Sequence, residues 1–359
     1  NATEARLVSD VKIATSLSGG VDSSIIFSIL NNLKKHNDKI DLNPFIMQYS
    51  KNETLNEAKE LASFYNKKPV IVKQKEPNID DLSYDLSTIE LAQTYFNQIE
   101  IYKIQNQNGF KVSIDGHGAD ECLGGYLKDI KYFGMHFQNS IGDLYKTIKE
   151  LWGEEKLKQS IEELKLVPGL NKYNFDIKNF SKIKNQGNKY IRANSLEYSN
   201  PYLLNDLEDL KDYNLTFQIM YYFSTYGHLQ WLLNKWDKAS MSQSVEIRSP
   251  FLDWRFFQFA LSLPPEYKIM HGQNKSILRD SFTDIVPASI LQKKLKQGLP
   301  QVEIEFNDTF AKMLHNIIND KDFIESNYWD GKKISIDLYN KEEKNNNIDQ
   351  IWRIIKIFL

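Results

Sequence analysis

The stretch SGGVDSS at residues 18–24 decides the fold of this chain. It follows an apolar segment, 11–17 (VKIATSL), which predicts a buried strand, and it opens 23–35 (SSIIFSILNNLKK), whose apolar residues recur at helical spacing. Two glycines permit a tight turn and bring the backbone close to a ligand, while the N–H groups of a helix start face an anion. The stretch therefore predicts a strand–loop–helix unit that binds phosphate.

Asp22 is the unexpected member of this loop. A carboxylate beside a phosphate repels it unless a cation lies between them, and Mg²⁺ prefers the oxygens of both groups. An ordinary helix N-cap made by Ser and Asp is the alternative interpretation. The two glycines and the preceding apolar strand favour a phosphate site that contains a metal ion.

Strands and helices alternate through the first half of the chain. Further strands are predicted at 44–49 (PFIMQY), 69–73 (PVIVK) and 111–114 (KVSI), and further helices at 53–65 and 86–106. This alternation is typical of βαβ units that form a parallel sheet.

After Tyr126 the strand signals fade. Helical patterns follow at 215–223, 228–236, 256–263 and 348–359, and the Asn- and Lys-rich segment 171–190 predicts a loop insertion. We therefore expect a nucleotide-binding α/β core at residues 1–135 and a mainly helical region at 136–359 that completes the substrate site.

Composition excludes several classes of protein. Hydrophobic residues make up 41% of the 359 residues, which is enough for a buried core, and 45 Lys+Arg against 47 Asp+Glu give a net charge of −2. This balance argues against a nucleic-acid or membrane-surface binder. The sequence has no run of about 18 apolar residues that could span a membrane, and it shows no signal peptide. Its single cysteine, Cys122, fits a reducing compartment, so we expect a cytoplasmic protein.

A second informative stretch, DGHGADECLGGY at residues 115–126, follows the strand predicted at 111–114. The carboxyl ends of parallel strands open on one edge of a sheet, where ligands bind. We therefore expect Asp120 to face Asp22 across one metal ion. A simple turn rich in Gly and Asp is the alternative.

Together with three later stretches, these two resemble a known family. The later stretches are WDKASMSQSVEIRSPFLD at 236–253, GQNKSILR at 272–279 and KLKQGLP at 294–300. SGGVDSS resembles the S-G-G-x-D-S loop of the ATP pyrophosphatase superfamily. The ordered set is similar to the synthetase domain of the asparagine synthetase family, which carries G-x-G-x-D-E-x-x-x-G-Y, D-R-x-S-M-x-x-S-x-E-x-R-x-P-F-L-D, K-x-x-L-R and R-x-K-x-G. The resemblance runs from about Glu4 to Pro300.

The resemblance implies a fold, two cofactors and a set of site residues. The fold is a five-stranded parallel sheet of the adenine-nucleotide α-hydrolase-like type, followed by a mainly helical C-terminal part. The cofactors are ATP and Mg²⁺, with Asp22 and Asp120 as metal ligands. Candidate nucleotide contacts are Leu17, Ser18, Gly19, Gly20, Asp22, Ser23, Met47, Asp115, Gly116 and Lys275. Candidate catalytic residues are Lys296, His117 and Glu121.

The implied reaction is ATP-dependent amide formation. A small-molecule or peptide carboxylate would be adenylylated with release of pyrophosphate, and ammonia or an amine would then displace AMP. Asparagine synthesis, amidation in surface-glycan assembly and ring closure in natural-product synthesis all stay open. A non-catalytic ATP-binding subunit and a tRNA-modifying ligase are alternatives from other classes, although the near-neutral charge argues against the latter.

Two departures from the family pattern concern nitrogen. His117 stands where asparagine-forming members carry glutamate and β-lactam-forming relatives carry tyrosine. A histidine there could accept a proton from an amine, or it could shape the pocket through hydrogen bonds. Because only about a dozen residues precede the first predicted strand, we expect a separate or removed glutaminase domain as a candidate partner.

We predict that Lys296→Ala lowers turnover by about 10²-fold or more while ATP affinity stays largely intact. The matching family lysine stabilises negative charge that develops on the adenylate and on the intermediate formed by nucleophilic attack, so its loss affects the reaction more than binding. Calorimetric ATP affinity measured beside the steady-state rate checks this. An equal loss in both quantities would place Lys296 in ground-state nucleotide binding.

Overall fold

The strands and helices predicted for the first half of the chain are present in the computed structural model, except that residues 86–95 of the helix predicted at 86–106 lie outside the described residues. The structure describes residues 1–34, 42–49, 55–74, 96–126, 146, 148–150, 153–159, 190, 209–210, 212–213, 215–270, 273–293, 314–339 and 354. The chain divides into two units, of which the first contains residues 1–74, 97–175 and 207–300. The second contains residues 75–96, 176–206 and 301–359. Within the described residues, no helix is long and apolar enough to cross a membrane.

A five-stranded sheet forms the centre of the first unit. Its strands are β1 (Ile13–Ser16), β2 (Pro44–Gln48), β3 (Val70–Lys73), β4 (Val112–Ile114) and β5 (Glu246–Arg248). Their order is β3-β2-β1-β4-β5, and all four pairings are parallel. The predicted α/β fold with a five-stranded parallel sheet is confirmed.

Helices precede, connect and follow these strands. In the first unit they are α1 (Ala2–Ala5), α2 (Val21–Lys34), α3 (Leu55–Phe64), α4 (Phe96–Gln107), α5 (Ala119–Leu123), α6 (Leu215–Thr225), α7 (His228–Met241), α8 (Trp254–Ser262), α9 (Pro265–Lys268), α10 (Ser276–Ser281) and α11 (Ala288–Leu291). A short antiparallel pair, β6 (Ile269–Met270) and β7 (Gln273–Asn274), precedes α10. The second unit contains α12 (Lys321–Ile324) and α13 (Gly331–Tyr339).

The helical patterns predicted at 215–223, 228–236 and 256–263 are confirmed by α6, α7 and α8. The predicted loop at 171–190 and helix at 348–359 lie outside the described residues, apart from Tyr190 and Ile354.

Both faces of the sheet are covered. Successive strand residues point to opposite faces, so Ile13 joins the cluster that contains Ile25 of α2. Its neighbour Ala14 joins the cluster that contains Phe45 and Tyr102 of α4. Burial on two faces explains why the strands of a parallel sheet are almost continuously apolar.

The strand order reverses between β1 and β4. From β1 the chain runs outward through β2 and β3, and it then crosses to the other side of β1 to form β4 and β5. Connections that leave neighbouring strands in opposite directions open a crevice at the carboxyl ends of those strands, and ligands bind there. The stretches 18–24 and 115–126 begin at these two strand ends, which brings the two predicted halves of the site to one place.

The residue pattern did not predict β5. This strand has three residues that alternate polar, apolar and polar, which is too short a run to give a strand signal. Arg248 fastens it to the N-terminal segment, because its Nη1 donates to the carbonyl oxygens of Arg6 at 2.9 Å and Val8 at 2.7 Å. The domain boundary predicted between residues 135 and 136 lies outside the described residues and stays a prediction, while the sheet takes β5 from beyond it.

Asp115 ties together the carboxyl ends of the two central strands. It is 3% exposed, and its Oδ1 accepts hydrogen bonds from the Ser16 N–H at 3.1 Å and the Ser113 hydroxyl at 2.7 Å. Its Oδ2 accepts from the Tyr102 hydroxyl of α4 at 2.9 Å. A buried carboxylate is tolerated only when donors replace its water. These three donors therefore stabilise Asp115 at the switch point of the sheet, the place between β1 and β4 where the strand order reverses.

We predict that Tyr102→Phe lowers the free energy of unfolding by about 1.5–3 kcal/mol, the range for hydrogen bonds to charged groups. The change removes one donor from the buried Asp115 carboxylate and alters little else. Urea denaturation measures it, with Tyr213→Phe as the control because Tyr213 is 55% exposed. Equal losses in the two variants would show that this hydrogen bond does not hold the switch point.

Candidate active site

The loop between β1 and α2 is a closed turn held by two hydroxyl groups. The Ser18 and Ser23 Oγ atoms lie 2.9 Å apart, and the Ser18 N–H donates to the Ser23 Oγ at 3.1 Å. The Gly20 N–H donates to the Ser18 Oγ at 3.3 Å. Gly19 has φ +78°, a left-handed backbone that favours glycine. These contacts fix the loop directly before the first turn of α2, where N–H groups can face phosphate oxygens.

Leu17 and Met47 lie at the carboxyl ends of β1 and β2. The side chain of Leu17 is buried in one core cluster and that of Met47 in the other. The Leu17 N–H continues the sheet by donating to the Phe45 carbonyl oxygen at 2.8 Å. These two predicted nucleotide contacts therefore sit where the main chain, rather than a polar side chain, borders the crevice.

Gly116 lies where the loop after β4 meets the start of α2. A Cβ atom at this position would lie 2.8 Å from the Ser23 nitrogen and 2.9 Å from the Asp22 carbonyl carbon. Both of these are backbone atoms, so they cannot move aside as a flexible side chain would. The absence of a side chain at Gly116 lets the two predicted site loops touch.

The two predicted metal ligands come together around a lysine. The Lys275 Nζ lies 2.5 Å from the Asp22 Oδ2 and 2.7 Å from the Asp22 Oδ1. It also lies 2.6 Å from the Asp120 Oδ1. Asp22 is on the first turn of α2 and Asp120 is on α5, so the elements after β1 and β4 supply one carboxylate each. One cation touches both, which is the juxtaposition that the sequence predicts.

The charge of Lys275 is set by competing effects. Burial disfavours the ammonium, but the carboxylates of Asp120 and Asp22 outweigh burial and raise the pKa of Lys275 above its ordinary value. The side chain is therefore protonated at neutral pH. It supplies one positive charge to two negative ones.

The same two carboxylates fit a magnesium ion. Mg²⁺ in nucleotide sites is commonly bound through one or two carboxylates, with substrate phosphates and water as its other ligands. A single nitrogen already reaches both Asp22 and Asp120, so a small cation could do the same. In the part of the chain that the structure describes, no cluster of three or more His, Cys, Asp or Glu side chains offers an all-protein metal site.

Residues around this pair hold Asp120 and Lys275 in place. A Cβ atom at Gly125 would fall 1.6 Å from the Asp120 Oδ1, so the carboxylate occupies the space that a side chain would need. The Gly125 carbonyl oxygen accepts a hydrogen bond from the Asn274 Nδ2 at 3.2 Å. The Arg279 Nε donates to the Asn274 carbonyl oxygen at 2.7 Å. Gly125, Asn274 and Arg279 all lie within the family motifs, but no local sequence pattern predicts the contacts among them.

His117 borders a cavity of about 860 Å³ beside the edge strand β5. The walls of the cavity include Arg6, His117, Gln230, Asn234, Trp236 and Arg248. The rings of His117 and Trp236 are 4.7 Å apart between centroids. The His117 Nδ1 is buried, and none of the described residues makes a hydrogen bond to it.

Burial lowers the pKa of His117, while the nearby carboxylates of Asp115, Asp22 and Asp120 act in the opposite direction. The imidazole is therefore mainly neutral at neutral pH, with one nitrogen able to accept a proton. His117 lies on the wall of the cavity and three residues before Asp120 in the sequence.

Glu121 and Cys122 are both buried on α5. The Tyr126 hydroxyl donates to the Glu121 Oε1 at 2.5 Å. Burial, aided by the Glu121 charge, raises the pKa of the Cys122 thiol, so it is a thiol and not a nucleophilic thiolate. The predicted catalytic role of Glu121 stays a prediction, and so does a nucleotide contact for Asp115, whose two oxygens already accept from protein donors.

Lys296 lies outside the described residues, as do its neighbours 294–300. The chain that leads to it is anchored on two sides. The Lys293 carbonyl oxygen accepts from the Arg279 Nη1 at 3.1 Å, and the Lys293 ammonium forms an ion pair with Glu57 of α3.

A family model described as Asparagine synthase matches residues 1–358. The chain belongs to this family. That membership confirms the resemblance on which the predicted site residues rest.

Among curated members of the asparagine synthase family, the chain is 25% identical over 355 residues to glutamine-hydrolyzing asparagine synthetase 3 of Bacillus subtilis, covering 93% of this chain and 52% of the relative. It is 27% identical over 309 residues to asparagine synthetase 1 of the same organism, and the match covers 81% of this chain and 46% of that relative. It is 25% identical over 335 residues to the human asparagine synthetase, and that match covers 89% of this chain and 46% of the human protein. The chain thus spans about half the length of the curated relatives it matches.

We predict that Gly116→Ala lowers the free energy of unfolding by about 1–3 kcal/mol, as overpacking typically does. The new methyl group would push against the backbone of Asp22 and Ser23, so nucleotide affinity should fall as well. The matched control is Gly20→Ala, where a Cβ atom would lie 3.4 Å from the Ser18 Oγ, an ordinary contact. Urea denaturation of both variants gives the comparison, and a Gly116→Ala protein as stable as Gly20→Ala would contradict the close approach.

Proposed function

We propose that this chain carries the synthetase activity of an ATP-dependent amide-forming ligase. In this proposal it adenylylates a carboxylate, releases pyrophosphate, and transfers nitrogen to give an amide and AMP. The observation that carries the proposal is the meeting of Asp22, Asp120 and Lys275 at the switch point of the sheet, beside the phosphate loop.

The nucleotide would lie across the crevice between β1 and β4. The Ser18 and Ser23 hydroxyls and the N–H groups at the start of α2 would bind the pyrophosphate portion of ATP. The main chain at Leu17, Met47 and Gly116 would border the adenosine portion. Asp115 would act indirectly, because its hydrogen bonds fix the strand ends on which these residues lie.

Asp22 and Asp120 would hold Mg²⁺ in this arrangement. Mg²⁺ supplies positive charge that stabilises the pyrophosphate leaving group. Lys296 would stabilise the negative charge that builds on oxygen as the acyl group is activated and attacked. Two retained carboxylates and an intact loop favour catalysis over a non-catalytic ATP-binding subunit.

The nitrogen nucleophile would approach through the cavity beside β5. As its lone pair attacks the acyl carbon, the bond from that carbon to the AMP oxygen breaks, and the surplus proton on nitrogen must leave. His117 is suited to take this proton at Nδ1, since the ring is neutral and none of the described residues bonds to that atom.

The source of nitrogen divides two candidate functions. The curated relatives named above are glutamine-hydrolyzing enzymes, so a glutaminase domain on a separate or longer chain would supply ammonia. The second candidate is amide closure by an amine on a larger substrate. It is favoured by the cavity, whose volume of about 860 Å³ suits a ligand of many atoms. Ammonia would need only ~30 Å³, the volume of one water molecule.

Pyrophosphate release tests the proposed reaction. We expect the chain, given Mg²⁺·ATP and a panel of carboxylic acids, to release pyrophosphate and form AMP with ammonium or an amine-bearing acid, but not with glutamine alone. Asp22→Asn and Asp120→Asn should each abolish this activity, because each removes a charge that only a cation makes favourable there. Asp284→Asn, which changes an exposed carboxylate, is the control.

The outcomes separate the alternatives. AMP formed with ammonium supports an ammonia-dependent synthetase, while AMP formed only with an amine-bearing acid supports amide closure. Stoichiometric glutamate from glutamine alone would overturn the assignment of nitrogen transfer. Near-normal pyrophosphate release by both Asp variants would contradict the assignment of Asp22 and Asp120 as metal ligands. No pyrophosphate release with any acid would favour a non-catalytic ATP-binding subunit.

A further inference from the structure

Lys275 combines an unfavourable backbone conformation with a buried charge, and both cost free energy. Its backbone has φ +54° and ψ +36°, the left-handed conformation that residues other than glycine seldom adopt. The side chain is buried, with the residue 4% exposed. Strained backbone and a buried charge persist only where the surroundings determine them strongly, and such positions cluster at functional sites.

The surroundings of Lys275 do determine it. Asn274, the preceding residue, is held on one side by the Gly125 carbonyl oxygen and on the other by two donors of Arg279. The ammonium then reaches both carboxylates, with its three oxygen contacts between 2.5 and 2.7 Å. The lysine therefore stands where the proposed metal ion would touch the same two side chains.

A lysine and a divalent cation cannot both neutralise this pair in one place. Without a cation between them, Asp22 and Asp120 repel each other. One ammonium offsets half of their charge, whereas Mg²⁺ offsets all of it and would repel an ammonium left beside it. Phosphate oxygens offer the displaced ammonium a new partner, because a lysine binds phosphate as a point charge.

We propose that Lys275 is the resident counter-cation of the Asp22–Asp120 pair in the nucleotide-free protein, and that metal and ATP together move its ammonium from the carboxylates to the phosphates. The proposal rests on the metal-binding role of the two carboxylates in the proposed function. A metal ion alone must compete with the ammonium for its ligands. A metal ion that arrives with a nucleotide displaces the same ammonium but brings phosphate oxygens that accept it, so metal and nucleotide each favour binding of the other.

Binding of Mn²⁺ alone, followed by electron paramagnetic resonance, tests the first half of this proposal. We expect Lys275→Met to bind Mn²⁺ about tenfold more tightly than the unchanged chain, because the metal no longer displaces a charge. Lys293→Met is the matched control, since it removes a lysine that is paired with Glu57 of α3. Its Mn²⁺ affinity should stay unchanged.

The second half of the proposal predicts that Lys275→Met weakens binding, rather than strengthening it, when a nucleotide is present. With Mn²⁺ and a non-hydrolysable ATP analogue, Lys275→Met should bind the analogue about tenfold more weakly, because the lysine that would contact phosphate is missing. A lysine that stays on the carboxylates throughout would leave analogue affinity unchanged or higher in this variant, and either result would overturn the proposal.

A further variant covers the case in which Lys275→Met folds but is too unstable for the binding measurements. Asp22→Asn combined with Lys275→Met removes one charge of each sign, and we expect its thermal unfolding midpoint to exceed that of Lys275→Met. A midpoint no higher than that of the single variant would show that the lysine does not neutralise this pair.

These measurements separate the proposal from the proposed function. Equal Mn²⁺ affinities for the unchanged chain and Lys275→Met would overturn the counter-cation alone. Mn²⁺ binding to neither protein, with or without the analogue, would remove the metal assignment and the proposal with it. Tighter Mn²⁺ binding by the variant would support the proposal whether or not a carboxylic acid substrate is found.

Discussion

Two carboxylates that share one contact point must have a cation between them, and the site is arranged around that requirement. Asp22 comes from the helix after β1 and Asp120 from the helix after β4, and the parallel sheet brings both strand ends to one edge. In the structure Lys275 supplies the cation. Removing any one of the three would leave a largely buried charge with an incomplete set of partners, which is the costly case for ions in a protein interior.

Small residues make this meeting possible. Gly116 allows the loop after β4 to touch the backbone at the start of α2, and Gly125 leaves room for the Asp120 carboxylate itself. In both places a glycine is needed because a Cβ atom would collide with neighbouring atoms. Backbone conformation is not the reason, since neither residue has the positive φ of Gly19. Close packing of backbone on backbone also limits movement, so the carboxylates are held by rigid elements rather than by flexible loops.

The sequence predicts those structural features that depend on residues close together along the chain. Strands β1 to β4 and the helix after β1 show as apolar segments of the right period, and the shared sheet edge follows from their parallel order. β5 has only three residues, and its pairing with β4 is a tertiary contact. Likewise Lys275 contacts Asp22, which lies 253 positions earlier in the sequence. The Asp115 oxygens accept hydrogen bonds from buried donors. Neither contact can be predicted from the residues next to it in the sequence.

Arg279 couples the segment that carries Lys275 to residues 291–293 through one buried guanidinium group. Its Nε and Nη2 bind the main chain and side chain of Asn274, next to Lys275, while its Nη1 binds the carbonyl oxygens of Leu291 and Lys293. Burial lowers the pKa of Arg279, yet a guanidinium stays protonated in proteins, so its donors are always available. Residues 291–293 and the backbone that carries Lys275 thus share one anchor. Displacing that anchor would disturb both segments together, because contacts within one hydrogen-bonded network do not contribute independently.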